Sequence, residues 1–394
     1  MPVINRIAHY HDEMTAWRRD FHMHPEIGFE EVRTSGIVAE KLEEFGLDQV
    51  HKGLGRTGVV GVLHGRNGPG PAIGLRADMD ALPMTEESDI PHKSTIPGRM
   101  HGCGHDGHTT MLLGAAKYLA ETRNFEGTVY FIFQPAEEGL GGAVEMVDQG
   151  LFDKFPAKQV YGMHNWPEMP VGTAAVRGGP MMASSDKFEM TITGKGGHAA
   201  MPHLCIDPMP IAAQIINAWQ TIVSRYTDPL DQVVITVPMI SGGDAFNVIP
   251  DTVEMGGTVR TFSHDTQDRV EAQMETVAKG IAEAFGASIN FNYMRGYPAT
   301  INSAHEADLM AQAAAKVVGD DKVMREFNPC MGAEDFAYML KEKPGAYLWL
   351  GQARGPDEAF CHNPKYDFND DILPIGASLW AALVEQELPV AEAA

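Results

Sequence analysis

Thr128-Val129-Tyr130-Phe131-Ile132-Phe133-Gln134-Pro135-Ala136-Glu137-Glu138-Gly139 is the stretch on which the fold turns. Its first six residues are β-branched, aromatic or apolar, the composition of a buried strand. Gln134-Pro135 ends it, and two acids follow at once. Adjacent carboxylates after a buried strand repel each other and lose hydration unless something positive faces them. Neighbouring side chains also point in different directions, so one carboxylate can hold a metal while the other faces a substrate. A solvated acidic pair on a loop is the plainer alternative, and the apolar strand argues against it.

Other strands end the same way. Val59–His64 and Ala72–Ala77 are apolar runs separated by the Gly/Pro turn 65–71, and the second delivers Asp78-Met79-Asp80 to its carboxyl end. Val160–Met163 carries His164-Asn165-Trp166-Pro167 at its end. In open α/β sheets ligands gather beyond the carboxyl ends of strands. Asp80 reads equally well as a turn cap.

Between these strands lies Met100-His101-Gly102-Cys103-Gly104-His105-Asp106-Gly107-His108. Cysteine and histidine are the softer metal ligands, and glycine lets the chain fold closely around something small. A helix over Asp106–Glu121 leaves Cys103 and His105 on the loop before it, with His108 on its first turn. A further helix is expected over 31–45, with Val32, Val38, Ala39, Leu42 and Phe45 on one face and Gly46 as its stop.

The pattern changes near residue 185. Phe188–Thr193, Gln232–Ile240, Asp251–Thr261 and Ser288–Tyr293 read as strands, and Pro208–Arg225 and His264–Phe285 as helices. Their order, βαββαβ, is the ferredoxin-like arrangement. From about Asn302 α/β alternation returns: a helix over His305–Val318, another opened by Gly332–Phe336, a strand over Ala346–Gly351, then Cys361-His362-Asn363-Pro364 and a last helix over 371–387. The expected organisation is an α/β metal-binding catalytic domain split into residues 1–184 and 301–394. Residues 185–300 form an inserted α+β domain. Gly178-Gly179 and Ala299–Asn302 are the expected hinges, and the tail Val390–Ala394 the frayed end.

With 394 residues, 44% apolar and 21% charged, the composition is globular. No apolar run approaches the roughly 18–20 residues that span a bilayer, and the start, Met1–Arg6, has no signal-peptide core. Four scattered cysteines, Cys103, Cys205, Cys330 and Cys361, do not make a disulfide framework and suit a reducing cytoplasm. A formal charge of −23 argues against nucleic acid or an anionic membrane as partner. An anionic substrate would need a local positive site.

The metal-ligand set that emerges is Cys103, His105, Glu138, His164 and His362. A single catalytic metal takes three protein ligands and an open position, so five ligands fit two metals sharing a bridging group and a water. Paired metals clamp a carbonyl and lower the pKa of water. Glu137, beside Glu138, is then the natural general base. Neither a Gly-x-Ser-x-Gly elbow nor a phosphate-binding Gly-x-x-x-x-Gly-Lys-Ser/Thr loop is present.

These residues carry a resemblance. Arg76–Pro83, Met100–His108, Gln134–Gly139, Gly194–His203, Asn247–Asp251, Gly257–Phe262, Gly332–Phe336 and His362–Pro364 recur in order. The chain resembles the aminoacylase/hippurate hydrolase branch of the dinuclear zinc aminopeptidase-like metallopeptidases, which includes auxin-conjugate hydrolases. The resemblance implies a zinc-aminopeptidase-like catalytic domain with a ferredoxin-like lid and dimerisation domain. It implies hydrolysis of N-acyl-L-amino acids, N-acetyl or N-benzoyl (hippurate-like), with Glu137 as base. Two divalent ions per chain (Zn, Mn, Co or Ni) are implied on the same five ligands. Related peptidases carry an aspartate where this branch has Cys103, which leaves the metal's identity open and exposes the enzyme to thiol oxidation.

In the insert, His198 is implied as donor to the developing oxyanion, with Asn247 and Arg260 holding the substrate carboxylate; an Arg fork suits a carboxylate bidentately. A salt bridge on a strand face is the plainer use of Arg260. A homodimer or higher homo-oligomer is implied as well. Asp80, His101 and His108 are expected behind the ligands. Met163, Met181, Met182 and Met331 read as core filling before an acyl pocket. The alternatives are a metallo-dipeptidase or carboxypeptidase on short peptides, or a catalytically silent metal-binding protein.

Overall fold

The structure, a computed structural model, describes residues 3–356 and 358–390; the tail residues Ala391–Ala394 lie outside them. The described residues form two compact units. The first comprises Met1–Met181, Ile301–Asn328 and Asp335–Ala394; the second Met182–Thr300 and Pro329–Glu334. The short stretch Pro329–Glu334 thus clusters with the insert, outside the residues 185–300 read for it.

The first unit is built on an eight-stranded mixed sheet. Its order is Gln49–Leu54, Gly58–His64, Thr128–Gln134, Ala72–Asp78, Gln159–Pro170, Gly345–Ala353, Ala174–Ala175, Val323–Met324. The four central strands, Thr128–Gln134 to Gly345–Ala353, are mutually parallel, so their carboxyl ends share one edge. Thr128–Gln134 and Ala72–Asp78 are buried along their whole length, the reason their sequences run apolar without alternation. Register aligns the polar ends: Asp78 pairs with Gln134, and Arg76 with Gly162, two residues before His164. The helices His105–Thr122, Leu373–Glu387 and Ala304–Val318 pack on this sheet and one another. Leu75, Phe131, Leu112, Leu113, Leu348 and Trp380 share one core.

Two expectations change here. The strand read as Val160–Met163 runs on to Pro170, paired with its neighbour as far as Ala353↔Pro170, so His164 lies within a strand rather than after its end. The helix expected from Gly332 begins only at Ala337 and is six residues long.

The second unit has a four-stranded antiparallel sheet in the order Val233–Ser241, Thr252–Thr261, Ser185–Thr193, Ser288–Tyr297. That is the ferredoxin-like strand order. Its helices, Pro208–Arg225 and His264–Ala284, pack together and on the sheet. Each is started by a side chain that satisfies an otherwise unpaired amide: Asp207 accepts from Met209 N with Pro208 at the first helical position, and Ser263 from Thr266 N. Trp219 is fully buried in this core and donates Nε1–H to Met274 O at 2.9 Å. No helix among the described residues is long and apolar enough to cross a membrane.

Candidate active site

The acidic turn is held from behind. The Asp80 carboxylate accepts the backbone amides of Glu137 (Oδ1, 2.9 Å) and Glu138 (Oδ2, 2.9 Å), while Glu31 Oε1 accepts Ala136 N at 2.8 Å. Ala136 adopts φ 54° and His362 φ 66°, a conformation costly for residues bearing a Cβ. Such strain gathers where a site over-determines the backbone.

The donor atoms come together in overlapping groups. Cys103, His105 and His164 place theirs within 4.8 Å of one another, and so do Cys103, Glu138 and His362. Cys103 belongs to both triads. His105, Glu137 and Glu138 form a third such group, so Glu137 sits beside the donor cluster. Its Oε1 accepts Asp335 N at 3.3 Å.

The imidazoles are oriented from the rear. His105 Nδ1 faces the Asp80 carbonyl at 2.9 Å, and its Nε2 is buried without a hydrogen-bond partner. His164 Nδ1 faces Asn165 O at 2.6 Å, and its Nε2 lies 3.3 Å from Cys103 Sγ. His362 Nε2 lies 3.1 Å from Glu138 Oε1. One nitrogen held and the other turned to the donor cluster is how metal-binding histidines are set.

The charges agree. Burial, then the neighbouring His108, keep His164 neutral, its pKa well below the usual range, as a ligand must be. Cys361, burial and the carboxylates Glu138 and Glu137 push the Cys103 thiol up. A divalent cation held there would reverse that balance, since its charge would favour the thiolate. The donor set, the unpartnered His105 nitrogen and the excess of negative charge all fit divalent metal.

Asp78 belongs to the layer beneath. Its oxygens meet Arg76 Nη1 at 2.7 Å and His108 Nδ1 at 2.6 Å. Burial opposes its charge, but His105, Arg76 and His108 hold its carboxyl well below the usual range. Arg76, fully buried, also donates to Gln134 Oε1 (2.8 Å) and Asp335 Oδ1 (3.1 Å). His108 Nε2 meets Asn165 Oδ1 at 2.7 Å, and Asn165 donates to the Tyr366 hydroxyl at 2.8 Å. Reasoning from sequence did not pick out Arg76, Asn165, Tyr366 or Asp335; a charged residue in the middle of an apolar strand was the available signal for Arg76. His101 is buried with both ring nitrogens free of hydrogen bonds, and burial lowers its pKa to about 4.

In the second unit, Gly197–His198 pairs with Val248–Ile249, and Ala199 N donates to Asn247 O at 3.0 Å, which brings His198 and Asn247 together. His198 Nδ1 accepts Ala200 N–H at 3.1 Å, leaving the proton of the neutral ring on Nε2. Arg260 is half-buried on Thr252–Thr261 and donates to Val259 O at 3.1 Å and to the Thr258 hydroxyl. Met163, Met181 and Met182 are buried, while Met331 is exposed.

Residues 74–386 match the description of peptidase family M20/M25/M40. The chain belongs to that family. It is 41% identical over 383 residues to the hippurate hydrolase of Campylobacter jejuni, covering 97% of this chain and 98% of the relative. It is 40% identical over 375 residues to the N-acetylcysteine deacetylase of Bacillus subtilis, covering 95% and 96%. A solved Bacillus subtilis structure described as a dinuclear metal-binding peptidase from family M20 is 35% identical, with a TM-score of 0.85 over 98% of this chain and 99% of that one. The chain is an amidohydrolase of this family.

Proposed function

We propose that the protein hydrolyses the amide bond of N-acyl-L-amino acids, with N-acetyl and N-benzoyl (hippurate-like) compounds as the substrate class. The observation that carries the reading is the pair of donor triads sharing Cys103, with Glu137 alongside. Cys103, His105, Glu138, His164 and His362 would hold two divalent ions, drawn from Zn, Mn, Co or Ni. When bound, such a pair polarises the amide carbonyl and lowers the pKa of the attacking water.

Glu137 takes a proton from that water as its oxygen adds to the carbonyl carbon. It then returns the proton to the amide nitrogen as the C–N bond breaks, yielding a carboxylic acid and a free amino acid. The backbone around Glu137 is fixed by Asp80 and Glu31, and its carboxylate accepts the Asp335 amide, so it needs little reorganisation to reach the reacting atoms. His198 Nε2–H is suited to stabilise the developing oxyanion. Asn247 and Arg260 recognise the substrate carboxylate, the local positive site that an acidic protein needs for an anionic substrate. The inserted unit acts as the lid and as the dimerisation surface, where Met239, Ile240, Phe246 and Val248 are exposed. Four scattered cysteines suit a reducing cytoplasm.

The test is a panel of N-acetyl-amino acids, N-benzoyl-amino acids and free dipeptides on metal-reconstituted protein. Turnover confined to the acylated compounds is expected. A preference for a free amino terminus would overturn the proposal in favour of a dipeptidase.

A further inference from the structure

The loop carrying Cys361 lies against the loop carrying Cys103. The His362 amide donates to Gly102 O at 2.7 Å, and Cys361 Sγ lies 3.7 Å from the Cys103 carbonyl oxygen. The hydrogen-bonded residues are the chain neighbours of the two cysteines. These two contacts put Cys361 and Cys103 on facing loops, and a disulfide asks for Cα atoms about 4.4–6.8 Å apart. Both residues are half-buried and neither is in a disulfide. Cys361 belongs to neither donor triad, whereas Cys103 belongs to both. The remaining thiols, Cys205 and Cys330, lie in the second unit.

We propose that Cys103 and Cys361 form an oxidative modification site, with Cys103 as the reactive thiol and Cys361 as the resolving one. The oxidant is a hydroperoxide. The Cys103 sulfur attacks a peroxide oxygen, the O–O bond breaks, and Cys103 becomes a sulfenic acid as one water departs. The Cys361 sulfur then attacks the Cys103 sulfur, the S–O bond breaks, and the second water leaves with the Cys361 proton. Two thiols have lost two electrons and two protons, and hydrogen peroxide has become two waters. Cys103 is no longer available as a thiolate ligand in the disulfide. A reductant restores it, whereas without a partner thiol the sulfenic acid goes on to the irreversible sulfinic acid. The effect on turnover rests on Cys103 being a ligand; the disulfide itself does not.

The test treats metal-reconstituted enzyme with hydrogen peroxide, then measures released metal and maps tryptic peptides after alkylation. The expected result is a link between Met100–Lys117 and Gly355–Lys365, with metal release in step with lost activity and both reversed by dithiothreitol plus metal. Cys361→Ser, active before treatment, should give no such link, should carry Cys103 as sulfinic acid, and should not recover. Cys103 linked to Cys205, Cys330 or a second chain would overturn the proposal, as would equal over-oxidation of Cys103 in the wild type and Cys361→Ser. A linked pair with metals and turnover intact would keep the oxidation site and remove Cys103 from the ligand set.

Discussion

Replacing Asp80 with asparagine tests whether the acidic turn is positioned from behind. The two Asp80 oxygens each accept one backbone amide, from Glu137 and Glu138, at 2.9 Å, and Oδ1 also lies 3.3 Å from His105 Nδ1. Asparagine keeps one oxygen and puts an NH₂ group where the other stood. Whichever way it turns, one charge-assisted hydrogen bond is lost, about 1.5–3 kcal/mol, and one N–H is left facing another donor, about 1–3 kcal/mol. A local cost of about 2.5–6 kcal/mol falls on the segment carrying Glu137 and Glu138. Part of it should appear as metal affinity, for which loss of such a supporting partner typically costs about 10–100-fold. Chelator competition measures that affinity, and thermal unfolding of the metal-free protein measures the remainder. Wild-type affinity together with a wild-type melting temperature in Asp80→Asn would refute the reasoning.

Further outcomes follow from the buried network. Arg76→Met leaves Asp78 and Asp335 without their shared cation; a loss of about 3–5 kcal/mol is expected, read from urea unfolding. In Gly104→Ala, a Cβ would stand 2.1 Å from Asn165 Oδ1 on a backbone at φ 98°. The left-handed conformation alone costs about 1–2 kcal/mol, and displaced Asn165 releases His108, so a lowered melting temperature is expected. Burial lowers the His22 pKa, but hydrogen bonding to Asp106 and Glu86 outweighs it and raises the group to about 9. A raised folded-state pKa stabilises fully below the unfolded value of about 6.5, and that stability is lost as pH climbs through about 9. The linked amount is about 3 kcal/mol. Urea midpoints from pH 6 to 10 should fall in the wild type and fall less in His22→Gln.

What the sequence made legible was local. Consecutive acids after the apolar Thr128–Phe133 run, and thiol and imidazoles among glycines in Met100–His108, each carry their chemistry within a few residues. The βαββαβ order of the insert was equally legible, because each element has its own period and stop signals. The supporting layer was not, since its partners are far apart in the chain. Arg18 carries no local signal, and it is fully buried against Asp106, Asp367 and Asp370. Asp335 appears only as part of the Gly332–Phe336 stretch, and it receives Gln134, Arg76 and Ala143 N. The length of the Gln159–Pro170 strand was hidden for the same reason. Its polar half, Asn165-Trp166-Pro167, continues in the sheet because Gly345–Ala353 pairs with it and His108 meets Asn165. Neither partner is a neighbour in sequence.

The most direct measurement is turnover of an N-acyl amino acid by Glu137→Gln alongside its metal content. The glutamine keeps the oxygen that accepts Asp335 N but cannot take a proton. With a general base worth about 10²–10⁴-fold, kcat should fall by that factor while metal stays near two ions per chain, as in the wild type. Undiminished kcat with both ions in place would contradict the assignment of Glu137 as the base.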